Sequence, residues 1–486
     1  MTDVRTTHTF FSKRIFIISG ISFSGLCWYL ANGLSGNYWY LSWIAPIPLL
    51  IASMYVTGRM TFIISFIAYL IGRLSWFTYL TTVATTLPAI IFTLTLPLIF
   101  AFIVLLTRNI VLKTDSWYGI FAFPVFFTSF EFLLIIFSAD GTATSIAYSQ
   151  LNCLPIIQIA SITGILGITF VVTFIPSAIT GSLCYHKEKN KFRPAICVSV
   201  VILMSVFLFG IIRLSDASQK SKVKVGLAVL AEKFHYITDQ PDYQKEIETA
   251  ELYALAITHL SAQGAQLVTL PERAININKE TDSTVMHILT SVAKKNRVVI
   301  ITGYTNFRND SVRNSALVID ADGNVLADYH KVHLVKGLEH QFIPGGPIGL
   351  FTSNGMQSGV AICKDLDFPG YIKKYSRSNI SVLYVPAWDF VVDDWLHSRM
   401  AILRGVENGF SVVRTARQGR LTISDCYGRI TSEASSTNGV PTALTGKVSL
   451  QKKDTFYTHW GDWFGIVNII AAGCFIIFKG KKRKRD

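Results

Sequence analysis

The sequence lacks the cysteine patterns of metal-binding and redox proteins. Its seven cysteines include no Cys-x-x-Cys pair, and no histidine spacing indicates a zinc site. Only Cys363 and Cys426 lie in the polar part of the chain, so the cysteines do not form the framework of a disulfide-rich domain. We therefore expect no metal site and no bound cofactor.

Charged residues are also scarce. They make up 16% of the chain against 50% hydrophobic residues, and the mean hydropathy is +0.40. Soluble domains carry about 25% charged residues, so this composition excludes an ordinary soluble protein. Apolar runs of transmembrane length fill the chain before about residue 214, whereas residues 222–453 are mixed, charged and rich in strand patterns. The sequence predicts a membrane protein that also has a polar domain.

The apolar runs predict eight membrane spans, of which the last is short. They cover residues 14–31, 38–56, 61–80, 87–106, 118–137, 156–183, 195–213 and 464–478. We therefore expect a polytopic α-helical membrane domain of seven spans over 1–213, a polar domain over 214–463, and an eighth span with a basic tail over 464–486. The first span precedes another at once and lacks a clear cleavage site, so we interpret it as retained.

Lysine and arginine are absent from three loops, at 32–37, 81–86 and 138–154. The segments on the opposite side carry Arg5, Lys13, Arg14, Arg59, Arg108, Lys113, Lys187, Lys189, Lys191 and Arg193, and the tail 479–485 is basic. This asymmetry predicts an extracytoplasmic polar domain and a cytoplasmic tail. Acidic and basic residues are nearly balanced over 214–463, so the net charge of +14 follows from topology and predicts no nucleic-acid binding.

Two ionisable residues, Arg73 and Glu131, fall within predicted spans. Such groups are costly in a bilayer and often functional, but a residue near a span end can also extend to the interface. Both interpretations stay open, and we assign neither residue a catalytic role.

Strand and helix patterns alternate in the polar region. Strands are predicted at 223–230, 266–270, 298–304, 316–319, 359–363, 381–385 and 410–415, and helices at 243–260, 282–295 and 394–408. This alternation indicates an α/β domain in which helices cover sheets.

Four residues of types that are used in catalysis follow strand patterns or turns in this region. Glu272 comes after Pro271 and an apolar run, Cys363 ends another apolar run, and Lys331 precedes Glu339 by eight residues. Attack of a thiol on a carbonyl needs a base, a cation for the developing oxyanion and a proton donor for the leaving group. We expect Glu272 to act as base and then acid, Lys331 to stabilise the oxyanion, and Glu339 to orient the lysine or assist proton transfer.

These motifs resemble those of the nitrilase, or carbon-nitrogen hydrolase, superfamily. The resemblance rests on Pro271-Glu272, Lys331, its separation from Glu339, and Ile362-Cys363, while the spans and the segment 458–464 are similar to the membrane branch, the apolipoprotein N-acyltransferases. It implies an α-β-β-α sandwich. It also implies a two-step acyl transfer, from a membrane phospholipid to the cysteine as a thioester and then to the α-amino group of a diacylglyceryl-cysteine on a lipoprotein.

The sequence departs from the family immediately after the cysteine. The family usually has Tyr-Glu there, whereas this chain has Lys364-Asp365. Asp365 keeps an acid with a shorter reach, and Lys364 either lowers the pKa of the thiol or marks a different acceptor. We expect Lys364, Asp365 and Trp388, which follows a predicted strand, to contact substrate. Core packing is an equally good explanation for Trp388.

Two other functions fit the same residues. A membrane-bound amidase would keep the nucleophile and use water in place of the amine, and a non-catalytic module would bind lipid without chemistry. The presence of all four polar residues favours an enzyme. The sequence leaves the acyl-chain preference, the acceptor and the oligomeric state open.

Overall fold

The computed structural model describes residues 3–216, 221–234, 242–308, 311–353 and 355–477, with side chains from residue 15 onward. The basic residues expected at positions 5, 13 and 14 and in the tail therefore lie outside the described side chains. The chain divides into two compact units. The first comprises Met1–Phe137, Thr144–Ile212 and Asp462–Asp486, and the second comprises Ser138–Ala143 and Arg213–Gly461.

The first unit is helical. Its helices are α1 (Asp3–Leu30), α2 (Ile47–Tyr55), α3 (Gly58–Arg73), α4 (Phe77–Val83), α5 (Thr86–Thr114), α6 (Ala122–Phe137), α7 (Leu154–Ile157), α8 (Ala160–Thr163), α9 (Ile165–Tyr185), α10 (Lys189–Leu214) and, after the second unit, α16 (Trp463–Ile477). Short 3-10 turns at Trp39–Trp43, Leu74–Trp76, Trp117–Phe121 and Ile146–Gln150 join several of them.

Among the described residues, five helical segments are long and apolar enough to cross a membrane. They are Gly58–Val83, Thr86–Thr114, Trp117–Phe137, Ile165–Tyr185 and Lys189–Leu214. Shorter apolar helices cover Ile15–Leu30, Trp39–Tyr55, Leu154–Thr163 and Trp463–Ile477. The fold class of a polytopic α-helical membrane domain is confirmed.

One predicted span begins later in the structure than the sequence suggested. The expected helix over 156–183 is broken at Gly164, and the continuous helix α9 starts at Ile165. Gly164 has φ of +65°, a left-handed conformation that glycine adopts without the steric cost of a Cβ atom. This residue interrupts the helix although the apolar run continues through it.

The second unit contains two β-sheets. Its strands are β1 (Lys222–Val229), β2 (Leu267–Thr269), β3 (Ile275–Asn278), β4 (Val299–Phe307), β5 (Arg313–Ile319), β6 (Val325–His330), β7 (Gly349–Ser353), β8 (Met356–Val360), β9 (Val382–Trp388), β10 (Ser411–Arg417), β11 (Arg420–Ser424), β12 (Ile430–Ser435) and β13 (Thr442–Ser449). The first sheet has the order β13-β1-β2-β4-β5-β6, with β3 also paired to β4, and the second has the order β12-β11-β10-β9-β8-β7. The central strands β1-β2-β4 and β8-β9-β10 are parallel.

The sheets pack face to face, with helices on both outer faces. Buried side chains from the two sheets form a central core that includes Val225, Ile301, Val360, Tyr384 and Val413. Helices α11 (Tyr243–Ala262) and α12 (Asp282–Asn296) cover the first sheet through Tyr253, Ile257 and Leu289. Helices α13 (Pro369–Arg377) and α14 (Asp394–Asn408) cover the second sheet through Ile372, Tyr375 and Ala401. The expected α-β-β-α sandwich is confirmed. A short helix, α15 (Phe456–Trp460), follows the last strand.

The segment Ser138–Ala143 belongs to the second unit, although the sequence placed it in the transmembrane domain. The backbone N–H and the hydroxyl of Thr142 both donate to the carbonyl oxygen of Asp367, each at 2.9 Å. These hydrogen bonds hold the segment against the residues that follow Cys363.

Candidate active site

Glu272, Lys331 and Glu339 meet in one buried cluster. Glu272 follows β2, Lys331 follows β6, and Glu339 lies in the turn eight residues later. Lys331 Nζ lies 2.7 Å from Glu272 Oε1 and 2.8 Å from Glu339 Oε2. The three residues are 2%, 1% and 6% exposed respectively, so water does not screen these ion pairs.

Two features of neighbouring strands position Glu272. Its backbone N–H donates to the carbonyl oxygen of Ala387 in β9 at 3.3 Å, which links the ends of strands in the two sheets. Gly303 in β4 leaves room for the turn, because a Cβ atom there would lie 2.3 Å from the carbonyl oxygen of Pro271. The carboxylate is thus held on a rigid support.

Asn314 completes the cluster and was not predicted from the sequence. Its Nδ2 donates to Glu272 Oε1 at 2.6 Å and to Glu339 Oε1 at 2.7 Å. The backbone N–H of Val335 also donates to Glu339 Oε2 at 2.7 Å. One lysine and one amide therefore join two carboxylates that would otherwise repel each other. The sequence offered one signal for Asn314, namely its position at the start of β5. That strand pairs with β6, the strand before Lys331.

The electrostatics keep this cluster ionised. Burial by itself would lower the pKa of Lys331, but Glu272 and Glu339 outweigh that effect and hold the pKa well above its ordinary value. Burial by itself would raise the pKa of Glu339, but Lys331 and the hydrogen bonds from Val335 and Asn314 hold it below the usual value. The cluster thus provides a fixed cation between two carboxylates.

Cys363 begins a 3-10 turn, Cys363–Asp367, directly beyond β8. The sequence predicted a strand as far as this cysteine, but β8 ends at Val360 and Cys363 has φ of +41°. A left-handed conformation is uncommon for a residue other than glycine, and it is often found where a turn presents a functional side chain. The turn therefore directs the thiol out of the strand.

The thiol is protonated at neutral pH. Its Sγ donates to the carbonyl oxygen of Trp388 at 3.5 Å. Burial raises the pKa of Cys363 well above its usual range, and Glu272 raises it further, while Lys331 acts in the opposite direction. The thiolate is the reactive form, so attack on a carbonyl needs a proton acceptor. Glu272 is a nearby carboxylate whose charge contributes to the raised pKa of the thiol.

Asp365 stabilises the turn that carries the cysteine. Its Oδ2 accepts hydrogen bonds from Tyr329 Oη at 2.6 Å and from the N–H of Ile362 at 3.0 Å. Its Oδ1 accepts from the N–H of His333 at 2.9 Å. The residue is fully buried, so the substrate contact expected from the sequence would require these bonds to rearrange.

Lys364 forms ion pairs next to the thiol. Its Nζ lies 2.8 Å from Asp140 Oδ1 and 3.6 Å from Asp367 Oδ2. Burial works against its charge, but these two carboxylates outweigh burial and raise the pKa of Lys364. The cation that replaces the usual aromatic residue is therefore neutralised by acids within the same unit.

Trp388, expected to contact substrate, ends β9 and is partly exposed. The guanidinium of Arg417 lies 3.8 Å from its ring centroid, and that of Arg273 lies 5.5 Å from it. Its Nε1 donates to Gln418 Oε1 at 3.0 Å. The sequence analysis did not single out Arg273 or Arg417, because the stacking depends on strands that are far apart in the chain.

A second buried ion pair lies near the thiol. Arg414 binds both oxygens of Asp389, at 2.8 Å and 2.5 Å. Cys363, Asp389 and His397 each place one possible metal-ligand atom within 4.8 Å of the others. The carboxylate of Asp389 already has a bidentate cation partner, so Arg414 satisfies the charge that a metal ion would otherwise neutralise.

The chain is similar in sequence to known protein families. A family model described as carbon-nitrogen hydrolase matches residues 238–447, and one described as the apolipoprotein N-acyltransferase N-terminal domain matches residues 24–178. An apolipoprotein N-acyltransferase from Geobacter metallireducens is 25% identical over 89% of this chain and 89% of its own length. A 2-oxoglutaramate amidase from Bacillus subtilis is 28% identical over 43% of this chain and 82% of its own length. A crystal structure of an amidase from Nesterenkonia sp. covers 49% of this chain and 93% of its own at 20% identity, with a TM-score of 0.41.

A buried Glu-Lys cluster beside a cysteine, within an α-β-β-α sandwich that the carbon-nitrogen hydrolase model matches, defines an enzyme of the nitrilase superfamily. The N-terminal match and the long apolar helices make it a membrane protein. The chain belongs to the apolipoprotein N-acyltransferase family, the membrane branch of that superfamily, and it is an acyltransferase.

Proposed function

We propose that this protein transfers an acyl chain from a membrane phospholipid, through a thioester on Cys363, to the α-amino group of an N-terminal diacylglyceryl-cysteine on a lipoprotein. The observation that carries the proposal is the buried cluster of Glu272, Lys331 and Glu339 next to a protonated thiol. The names of the relatives, apolipoprotein N-acyltransferases, support a lipoprotein as the acyl acceptor.

The first half-reaction acylates the cysteine. Glu272 accepts the thiol proton while Sγ of Cys363 forms a bond to the ester carbonyl carbon of the phospholipid. The ammonium of Lys331 stabilises the oxyanion of the tetrahedral intermediate. The carbon-oxygen ester bond then breaks, and Glu272 returns its proton to the departing alkoxide, which releases a lysophospholipid.

The second half-reaction transfers the acyl chain to the amine. The neutral α-amino group attacks the thioester carbonyl, and Glu272 accepts one of its protons. The carbon-sulfur bond breaks, and the proton passes to the leaving thiolate, so the free thiol is restored. Glu339 and Asn314 act as positioning residues throughout, because they hold Lys331 and Glu272 in place.

The proposal includes the topology expected from the charge distribution. It locates the protein in the bacterial cytoplasmic membrane, with residues 214–463 extracytoplasmic, an eighth span over 464–478, and the basic tail that follows it cytoplasmic. This arrangement would give the catalytic domain access to outer-leaflet phospholipid and to lipoproteins. Cysteine-labelling of single-cysteine variants from outside intact cells tests it, since a thiol placed at exposed Glu251 should react and one in the tail should not.

Intact-mass spectrometry of the purified chain tests the thioester. After incubation with phospholipid, the unsubstituted protein is expected to gain one acyl-sized mass that hydroxylamine removes, and Cys363→Ala is expected to gain none. Cys197→Ala removes an exposed thiol of α10 and should behave like the unsubstituted protein. A folded chain that gains no adduct from any phospholipid would contradict the proposal.

A membrane-bound amidase is the second candidate, supported by the similarity of the catalytic domain to the Bacillus amidase. The two functions differ in the acceptor for the second half-reaction. Addition of a synthetic diacylglyceryl-cysteine peptide to the acylated enzyme distinguishes them. N-acylated peptide supports the acyltransferase, whereas release of free fatty acid with unmodified peptide supports the hydrolase.

A further inference from the structure

A polar cavity lies within the helical unit. It is partly open, its volume is about 30 Å³, and its walls include Trp28, Asn32, Arg73, Trp76 and Ser145. These residues come from the end of α1, the end of α3 and the segments that follow α1 and α6. The cavity is therefore at the same end of the helices as the loops over 32–37 and 138–154.

Arg73 is buried in this cavity and does not extend to the surface. The residue is 8% exposed, and its guanidinium carbon lies 4.5 Å from the centroid of the Trp76 ring. Among the residues that the structure describes, its Nε and Nη2 have no hydrogen-bond partner. An unpaired buried guanidinium carries a large desolvation cost, so such a group usually marks a binding site or an ion pathway in a membrane protein.

A second unpaired donor lies in the same wall. The indole Nε1 of Trp28 is buried and also lacks a partner. Guanidinium and indole N–H groups can only donate hydrogen bonds, so the missing partner must be an acceptor. The positive charge of Arg73 favours an anionic acceptor, because charge-assisted hydrogen bonds are the stronger ones.

The neighbouring carboxylate does not fill this role. Glu131 Oε1 accepts from the backbone N–H of Ile146 at 2.7 Å. Its Oε2 accepts from Ser145 at 2.9 Å and from Thr169 at 2.5 Å. Glu131 therefore fixes the segment that forms one wall of the cavity, while Nε and Nη2 of Arg73 and Nε1 of Trp28 have no acceptor within the described part of the chain.

We propose that this cavity binds a phosphate group, through Arg73 and the indole N–H of Trp28. A phosphate offers several acceptor oxygens and negative charge, which match two guanidinium N–H groups and one indole N–H. The phosphate can come from a phospholipid headgroup or from free inorganic phosphate. The site is independent of the acyl-transfer chemistry, because none of its residues belongs to the catalytic unit.

Native mass spectrometry of the full chain in detergent tests the site. Cys363→Ala serves as the background, so that no lipid is consumed. The probes are dihexanoyl-phosphatidylglycerol, dihexanoylglycerol, which has the same acyl chains without phosphate, and inorganic phosphate as a competitor. We expect Arg73→Gln to weaken phosphatidylglycerol binding at least about tenfold and Trp28→Phe about threefold. Arg59→Gln removes a charge from an exposed position of the same helix and should change nothing.

Each outcome bears on the proposal. Displacement of the lipid by millimolar phosphate would identify free phosphate as a ligand, and binding of the lipid without displacement would identify the headgroup. Equal affinity for the lipid and for dihexanoylglycerol, or equal lipid affinity in Arg73→Gln and Arg59→Gln, would overturn the proposal. If Arg73→Gln does not fold, the lipid affinity of Trp28→Phe tests the proposal, because this variant keeps an aromatic ring and removes the N–H donor. Unchanged affinity in Trp28→Phe would then overturn it. Failure of the thioester experiment would leave this result unaffected.

Discussion

Lys331 Nζ lies 2.7 Å from Glu272 Oε1, and both side chains are almost completely buried. A buried ion pair of this kind is costly unless its remaining groups are also satisfied. Glu339 and Asn314 provide those contacts, so the Glu272 carboxylate is fixed close to the Cys363 thiol, whose pKa is raised by burial.

Glu272→Gln should slow formation of the acyl-enzyme by about 10²- to 10⁴-fold, because the amide cannot accept the thiol proton. The amide oxygen still accepts hydrogen bonds from Lys331 and Asn314, so we expect the variant to stay folded. Single-turnover mass spectrometry with phospholipid measures the rate. Glu251→Gln, at an exposed position on α11, is the matched control and should react at the normal rate. A normal rate in Glu272→Gln would remove Glu272 from the mechanism.

Lys331→Met should destabilise the protein by about 3–5 kcal/mol, because it leaves two buried carboxylates without their cation. Denaturant unfolding of the purified protein measures this change. The double variant Lys331→Met with Glu339→Gln removes one of the two charges and should recover part of the loss. No recovery in the double variant would show that the loss comes from packing of the lysine stem.

Asn314→Ala should affect the pH dependence of the reaction. The hydrogen bond from Asn314 helps to hold the pKa of Glu339 below its ordinary value, so its removal raises that pKa. We expect the acidic limb of the rate profile to move to higher pH, with kcat reduced about tenfold and KM unchanged. Steady-state rates between pH 4 and 9 provide the test. A higher KM with an unchanged pH profile would indicate a substrate contact.

Alkylation of Cys363 should have an unusual pH dependence. Because burial holds the pKa of its thiol well above 9.0, the thiolate fraction keeps increasing with pH beyond the range in which a free cysteine is fully ionised. We expect the iodoacetamide rate at Cys363 to rise continuously through about pH 10, whereas an ordinary thiol with a pKa of about 8.5 approaches its limit above about pH 9.5. Peptide mass spectrometry assigns the modified site, and Cys363→Ala provides the background. A plateau below pH 8 would contradict a raised pKa.

Lys364→Met should make stability more sensitive to pH. Burial raises the pKa of Asp367, and Lys364 offsets part of that effect, so the variant should raise this pKa further. An acid whose folded-state pKa is raised stabilises the fold below its unfolded pKa, and the contribution is lost as pH rises through the folded-state value. The variant should therefore lose more Tm than the unsubstituted protein between pH 5 and pH 8. Lys374→Met, at an exposed position on α13, should show no such difference.

The sequence predicted much of the fold because hydrophobic patterning reports burial directly. All seven predicted strands and all three predicted helices of the polar region are present, and helix α14 has the predicted bounds. The strands that were missed, such as β6 and β12, are short and partly exposed edge elements with weak alternation. Glycine caused the one large error in the membrane unit, because the apolar run across Gly164 gives no sign of its left-handed backbone.

The sequence by itself determined that the chain combines a helical membrane unit with an α/β domain, and it pointed to Glu272, Lys331, Glu339 and Cys363. These inferences rest on local properties, namely apolar run length, strand periodicity and residue type at strand ends. Only the tertiary structure decided that Asn314 joins the two glutamates, that Asp365 stabilises the nucleophile turn, and that two guanidinium nitrogens of Arg73 lack a hydrogen-bond partner among the described residues. Hydrogen-bond partners are set by packing between segments distant in the chain, and one sequence contains no record of that packing.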